Sequence, residues 1–195
     1  MSQKTFSLGF QLLWYGEHAA ATEQLELALA LASVQGYTAL QCQCLTYLAI
    51  VHRLAGNVSD VRDNTVRSLA LAETECNPMY VGTARANLCW LAYRAGNAPL
   101  ALAEGHAALV SWQGLQCALH WLARWPLLAL AVGQKDRNTT LEHAAALLAE
   151  HQQQLPPPIA AALAAALAEL ECDPGKCPTT SFAAALDMAQ AYHYL

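Results

Sequence analysis

Apolar residues recur along this chain at the spacing of one helical face. Leu45, Leu48, Ala49 and His52 form such a stripe over residues 38 to 55, and Val61, Thr65, Leu69 and Leu71 form the next one after Ser59. The clearest stretch is Arg85 to Asn97, a run of good helix formers that stops at Gly96. Glycine adopts the left-handed conformation that closes a helix, and Pro99 fits the first turn of a new one, where its missing N–H costs nothing. The predicted unit is therefore helix, short turn, helix.

Gly16, Gly56 and Gly133 stand in the same helix-ending context as Gly96, at intervals of 40, 40 and 37 residues. A period in that range with two helices per unit is the mark of an α-solenoid. The pairs fall at residues 5–15 with 19–33, and 38–55 with a helix that Asn77 and Pro78 break. The third is 79–95 with 99–112. The fourth starts at Cys117, carries a kink at Pro126 and takes 140–152 as its second helix. The fifth is 159–171 with 181–194, joined by a turn through Pro174 and Gly175, with Thr180 or Ser181 as N-cap. The fold expected is all-α: an α-solenoid of about five antiparallel helix pairs in a single domain, 1–195, with repeats at 1–36, 37–77, 78–114, 115–155 and 156–195.

Composition supports this. The chain is 55% hydrophobic and 13% charged, rich in Ala and Leu and poor in strand-forming runs. A net charge of −5 and the absence of any Lys or Arg run argue against a nucleic-acid surface. The first ten residues lack the apolar core of a signal peptide, and Ile159 to Leu170 is far short of the roughly 20 residues that span a bilayer. A cytoplasmic, soluble protein is expected. Its seven cysteines, an odd number, read as reduced thiols.

On Asn87, Leu88, Gly96, Asn97, Ala101, Ala108 and Leu109 the third repeat resembles the tetratricopeptide pattern. The first repeat matches through Leu8 and Gly9 in its first helix and Ala21, Ala28 and Leu29 in its second. Cys89, Ala49 and Pro126 stand where the pattern has a glycine, and Val61 and Ser68 occupy the small positions of the second pair. The resemblance implies a right-handed superhelix that binds protein partners. Over residues 80 to 195 the chain is also similar to the C-terminal helical region of large bacterial ATPase-type transcriptional regulators and signalling proteins. That implies a sensor or partner-binding tail, and the chain has no P-loop motif to which nucleotide chemistry could be transferred.

The chemical inventory is thin. Glu17 and His18, Glu142 and His143, and Glu150 and His151 lack the two-histidine i, i+4 spacing of a zinc protease site. Cys42 and Cys44 point to different faces of one helix, and Cys172 and Cys177 read as two free thiols flanking a turn. No catalytic residue, metal or cofactor is assigned, and the chain is not read as an enzyme. The remaining feature is aromatic. If the first helix of each pair lines the concave face, the register places Phe6, Phe10, Leu13, Thr46, Ile50, Arg53, Trp90, Tyr93, His120 and Leu127 there. That groove is mostly apolar and suits an amphipathic helix or extended peptide. The competing reading of Trp90 and Phe10 is that they are core. The function expected is a non-catalytic protein–protein interaction module; the alternative is self-association as a homodimer through the N-terminal helix, where Phe6, Phe10 and Trp14 lie.

Overall fold

A computed structural model of the protein describes residues 1–173 and 175–195. Those residues form ten α-helices and no strand. In order they are α1 (Ser2–Trp14), α2 (His18–Val34), α3 (Thr38–Leu54), α4 (Val58–Thr74), α5 (Pro78–Arg94), α6 (Ala98–Ser111), α7 (Trp121–Gly133), α8 (Arg137–Leu147), α9 (Pro157–Cys172) and α10 (Pro178–Ala191). The all-α class expected from the periodicity is what the chain adopts.

The regularity is finer than a 40-residue pair. From α2 to α5 every helix has 17 residues, about 25 Å of axis, and three residues separate it from the next. The middle residue of each connection is left-handed: Gly16, Gly36, Gly56, Cys76 and Gly96 all have positive φ, from 51° to 82°. The chain closes each of these first five helices by the same pair of bonds. At the first turn Gly16 N–H donates to Leu13 O and Glu17 N–H to Leu12 O, and the latter bond recurs from Asn57 to His52, Asn77 to Ala72 and Asn97 to Ala92. Cys76 is the one non-glycine in this series. Since a side chain in that conformation costs roughly 1–2 kcal/mol, Cys76→Gly should raise the unfolding free energy by up to about 1 kcal/mol after the extra flexibility of the unfolded chain is allowed for. A urea melt showing a loss instead would place the strain elsewhere.

The second helix of each of the first three pairs buries one narrow stripe at the same register. Ala21, Leu25, Ala28 and Ala32 of α2 correspond to Val61, Thr65, Ser68 and Ala72 of α4, and to Ala101, Gly105 and Ala108 of α6 with Trp112 just beyond it. Small residues dominate because the helices cross closely. A methyl placed on Gly105 would meet Leu127 Cδ2 at 2.8 Å, and one on Gly9 would meet Leu25 Cγ at 2.8 Å.

The described chain gathers into two compact units, Met1–Leu88 and Cys89–Leu195, and their boundary falls inside α5. In the first unit α1 packs on α2, α2 on α3 and α3 on α4, with α1 also touching α3. In the second, α6 packs on α7, α7 on α8, α8 on α9 and α9 on α10; α10 also lies against α7.

Four expectations shift. The turn expected at Gly133 lies two residues on, at Lys135 (φ 58°), because Asp136 caps α8 through Thr139 N–H and so fixes where the helix restarts. α8 ends at Leu147 rather than near residue 152, since Gln153 N–H donates to Ala118 O and Gln152 Nε2 to Cys117 O, drawing the chain out of the helix. The same pairing holds 117–120 out of α7, which starts at Trp121 and runs through Pro126. α10 begins at Pro178 with Cys177 as its N-cap, ahead of Thr180 and Ser181, as the first-turn preference of proline dictates. The Pro-Gly turn expected before it involves Pro174, which lies outside the described residues.

Candidate functional site

In the first unit, α1 places Phe6, Phe10 and Trp14 at i, i+4 and i+8, on one side of the helix. Tyr47 of α3 faces them. The Phe10 ring stands edge-on to Tyr47, with centroids 4.9 Å apart and planes at 89°, and Phe6 meets Tyr47 at 5.7 Å. Phe10 also touches Phe6 at 6.2 Å and Trp14 at 5.8 Å. The four rings are thus one contiguous set, and all four are half-buried. Phe6 rests its inner edge on Ala28, Ala32, Leu40 and Cys44, which fixes its position while its outer edge stays open. Edge-to-face contacts of this kind add about 0.5–1.5 kcal/mol per pair beyond burial and hold the rings in place.

The ten positions expected to line a groove divide. Phe6 and Phe10 belong to this aromatic face. Leu13, Thr46, Ile50 and Arg53 do not, since each is buried within the first unit; Arg53, with no exposed surface, donates Nη1 to Asn87 Oδ1 at 3.5 Å. Adding the 40-residue period to Phe6 and Phe10 gives Thr46 and Ile50, but the open side of α3 is at Gln43 and Tyr47, about 100° round the helix from that register. In the second unit Trp90 is 0% and Leu127 1% exposed, so both are core. Tyr93 is half-buried beside Cys89, Ala92 and Ala101, and His120 is half-buried against Trp112, its ring 5.1 Å away. Tyr47 is the member that the sequence reading missed.

The second unit also holds a polar cluster. Arg124 Nη1 donates to Glu142 Oε1 at 2.9 Å and meets His143 Nδ1 at 2.7 Å. Accepting from an arginine requires a neutral ring, and burial, followed by the Arg124 charge, pushes the His143 pKa from 6.5 down to about 4. The His120 pKa is lowered too, first by burial and then by Arg124 and His151. Among the described residues no group of three His, Cys, Asp or Glu side chains could hold a metal ion.

This cluster makes the fold acid-sensitive. The unfolded chain takes up a proton on His143 near pH 6.5 and the folded one only near pH 4, so its contribution is complete above about 6.5 and is lost as pH falls through that window. The loss should be on the order of 3 kcal/mol, with His120 acting in the same direction. Urea midpoints at pH 7 and pH 4.5 measure it, and His143→Gln should flatten the dependence.

Cys42, Cys44, Cys76, Cys117, Cys172 and Cys177 are free thiols. Burial raises the pKa of Cys42 to about 11 and of Cys44 to about 12, which leaves them inert. No helix among the described residues is long and apolar enough to cross a membrane.

No family model, curated protein or solved structure matches this chain. The likeness to tetratricopeptide proteins therefore rests on the residues quoted above, and the aromatic face is argued from its own geometry.

Proposed function

We propose that the chain is a non-catalytic protein-interaction module, a tetratricopeptide-like solenoid whose first unit offers the Phe6, Phe10, Trp14 and Tyr47 face to an apolar segment of a partner protein. One observation carries this reading: four aromatic rings, mutually braced, are left half open along a helix side. Aromatic anchors with little conformational freedom left to lose are what protein interfaces use for affinity. The sequence likeness to the helical tails of bacterial signalling and transcription-regulatory proteins suggests that the partner belongs to such a system. The absence of any Lys or Arg run in the sequence favours an amphipathic helix or extended apolar peptide over an acidic tail.

Self-association is the second reading, favoured by the position of three of the rings on α1, where the same face on a second copy could meet them. Light scattering across a concentration series separates the two. A constant monomer mass leaves the partner reading; a mass doubling that Phe10→Ala abolishes supports self-association. The direct test is to pan a random peptide library against the folded chain and titrate the selected peptides against Phe10→Ala and Tyr47→Ala.

A further inference from the structure

Between the end of α8 and the start of α9 the second unit leaves an open cavity of about 380 Å³. Leu147, Leu155 and Ala160 form its apolar side, and Glu150, Gln152 and Gln153 its polar side. The glutamines are held there by the pairing that ends α8. Gln153 N–H donates to Ala118 O at 3.2 Å, and Gln152 Nε2 donates to Cys117 O at 3.1 Å and lies 3.3 Å from His120 Nδ1. A carbonyl only accepts, so this contact fixes which end of the Gln152 amide is nitrogen and leaves Oε1 at the other. Gln152 is 6% exposed, and its Oε1 is buried without a hydrogen-bond partner. Gln153 Oε1 is in the same condition.

Buried acceptors are normally paired, and leaving one unmet is costly. Two of them, on neighbouring residues that line one cavity, call for a donor from outside the chain. The surroundings select a charged one. Glu150 brings an exposed carboxylate, and α8 closes here, so that its last carbonyls add partial negative charge. No lysine, arginine or histidine lines the cavity. A bare metal ion would leave Leu147, Leu155 and Ala160 without contact, whereas an ammonium group on a short aliphatic chain meets both sides. The volume lies at the small end of ligand pockets, which suits a ligand of a few heavy atoms.

We propose that the cavity at the end of α8 is a binding site for a small aliphatic primary amine in its ammonium form. The three N–H groups of the ammonium donate to Gln152 Oε1, Gln153 Oε1 and the Glu150 carboxylate, and the aliphatic chain lies against Leu155 and Ala160. A free alkylamine and the side chain of a protein lysine share this chemistry. The site is independent of the aromatic face on the first unit.

The probe is n-butylammonium chloride, titrated into the isotope-labelled chain with sodium chloride at equal concentration as the blank. Amide resonances of residues 147–155 should shift saturably, with a Kd of about 1 mM, which is within reach of a ligand of this size. n-Butanol, the same carbon chain without the charge, should bind at least about tenfold more weakly. Glu150→Gln, an exposed change, should weaken ammonium binding severalfold. Gln153→Leu should weaken it at least about tenfold while leaving the urea midpoint unchanged or raised, since an unmet buried acceptor is removed. If Gln153→Leu unfolds, n-butanol and Glu150→Gln decide. Nα-acetyl-lysine methylamide is titrated in parallel, and whichever amine binds more tightly names the source. Equal affinity for n-butanol, undiminished affinity in a folded Gln153→Leu chain, or the absence of a saturable shift overturns the proposal.

Discussion

Trp90→Ala should cost the protein about 3–5 kcal/mol, a large share of the roughly 5–15 kcal/mol that hold a domain of ordinary stability together. The ring has no exposed surface, and the Arg94 guanidinium rests 5.0 Å above it. Removing it leaves a cavity of indole size in a helix core that cannot collapse around the loss. The thermal midpoint should fall steeply. Phe10→Ala, by contrast, deletes a half-buried ring together with its two edge-to-face contacts and should cost less, about 2–3 kcal/mol. The order matters more than either value, because a groove-lining Trp90 would reverse it. Thermal and urea melts of the two variants decide between core and groove for this residue.

The second large effect is on binding. Phe10 touches three other rings of the aromatic face, so its removal takes away one contact surface and loosens Phe6, Trp14 and Tyr47 as well. Central aromatic anchors of this kind typically contribute at least about 2 kcal/mol to an interface, which corresponds to roughly a 30-fold loss of affinity. Tyr47→Ala should give a similar loss. The double variant should lose less than the sum, since the two rings brace each other at 4.9 Å. A surface substitution away from the face, such as Val66→Ala on α4, should leave affinity unchanged.

The helix-and-turn rhythm was legible because it is local chemistry. Glycines at 16, 36, 56 and 96 and small residues such as Ala21, Ala28, Ala101 and Ala108 announce turns and close crossings directly. Lys135 escaped notice because a lysine gives no sign of a left-handed turn. The available signal was Asp136, which occupies the cap position that Asn57 and Asn97 hold in earlier turns. The pairing of Gln152 and Gln153 with residues 117 and 118 is a contact about 35 positions apart in sequence, and no local pattern encodes it.

The aromatic face was half legible. Phe6 and Phe10 stand out as large rings on a short first helix. Tyr47 required knowing which side of α3 faces outward, and a one-residue error in register turns a helix face by about 100°. That error placed Thr46, Ile50 and Arg53 in the groove when they are core, and the same transfer from repeat to repeat placed Trp90 and Leu127 there. Size and hydrophobicity do not separate a buried tryptophan from a surface anchor; the neighbouring helices do.

Fluorescence anisotropy of a library-selected peptide with the unaltered chain and with Phe10→Ala tests the central claim most directly. The account predicts saturable binding by the unaltered chain and a loss of about 30-fold or more in a Phe10→Ala chain that keeps its helical signal. Equal affinity for both folded chains would contradict it.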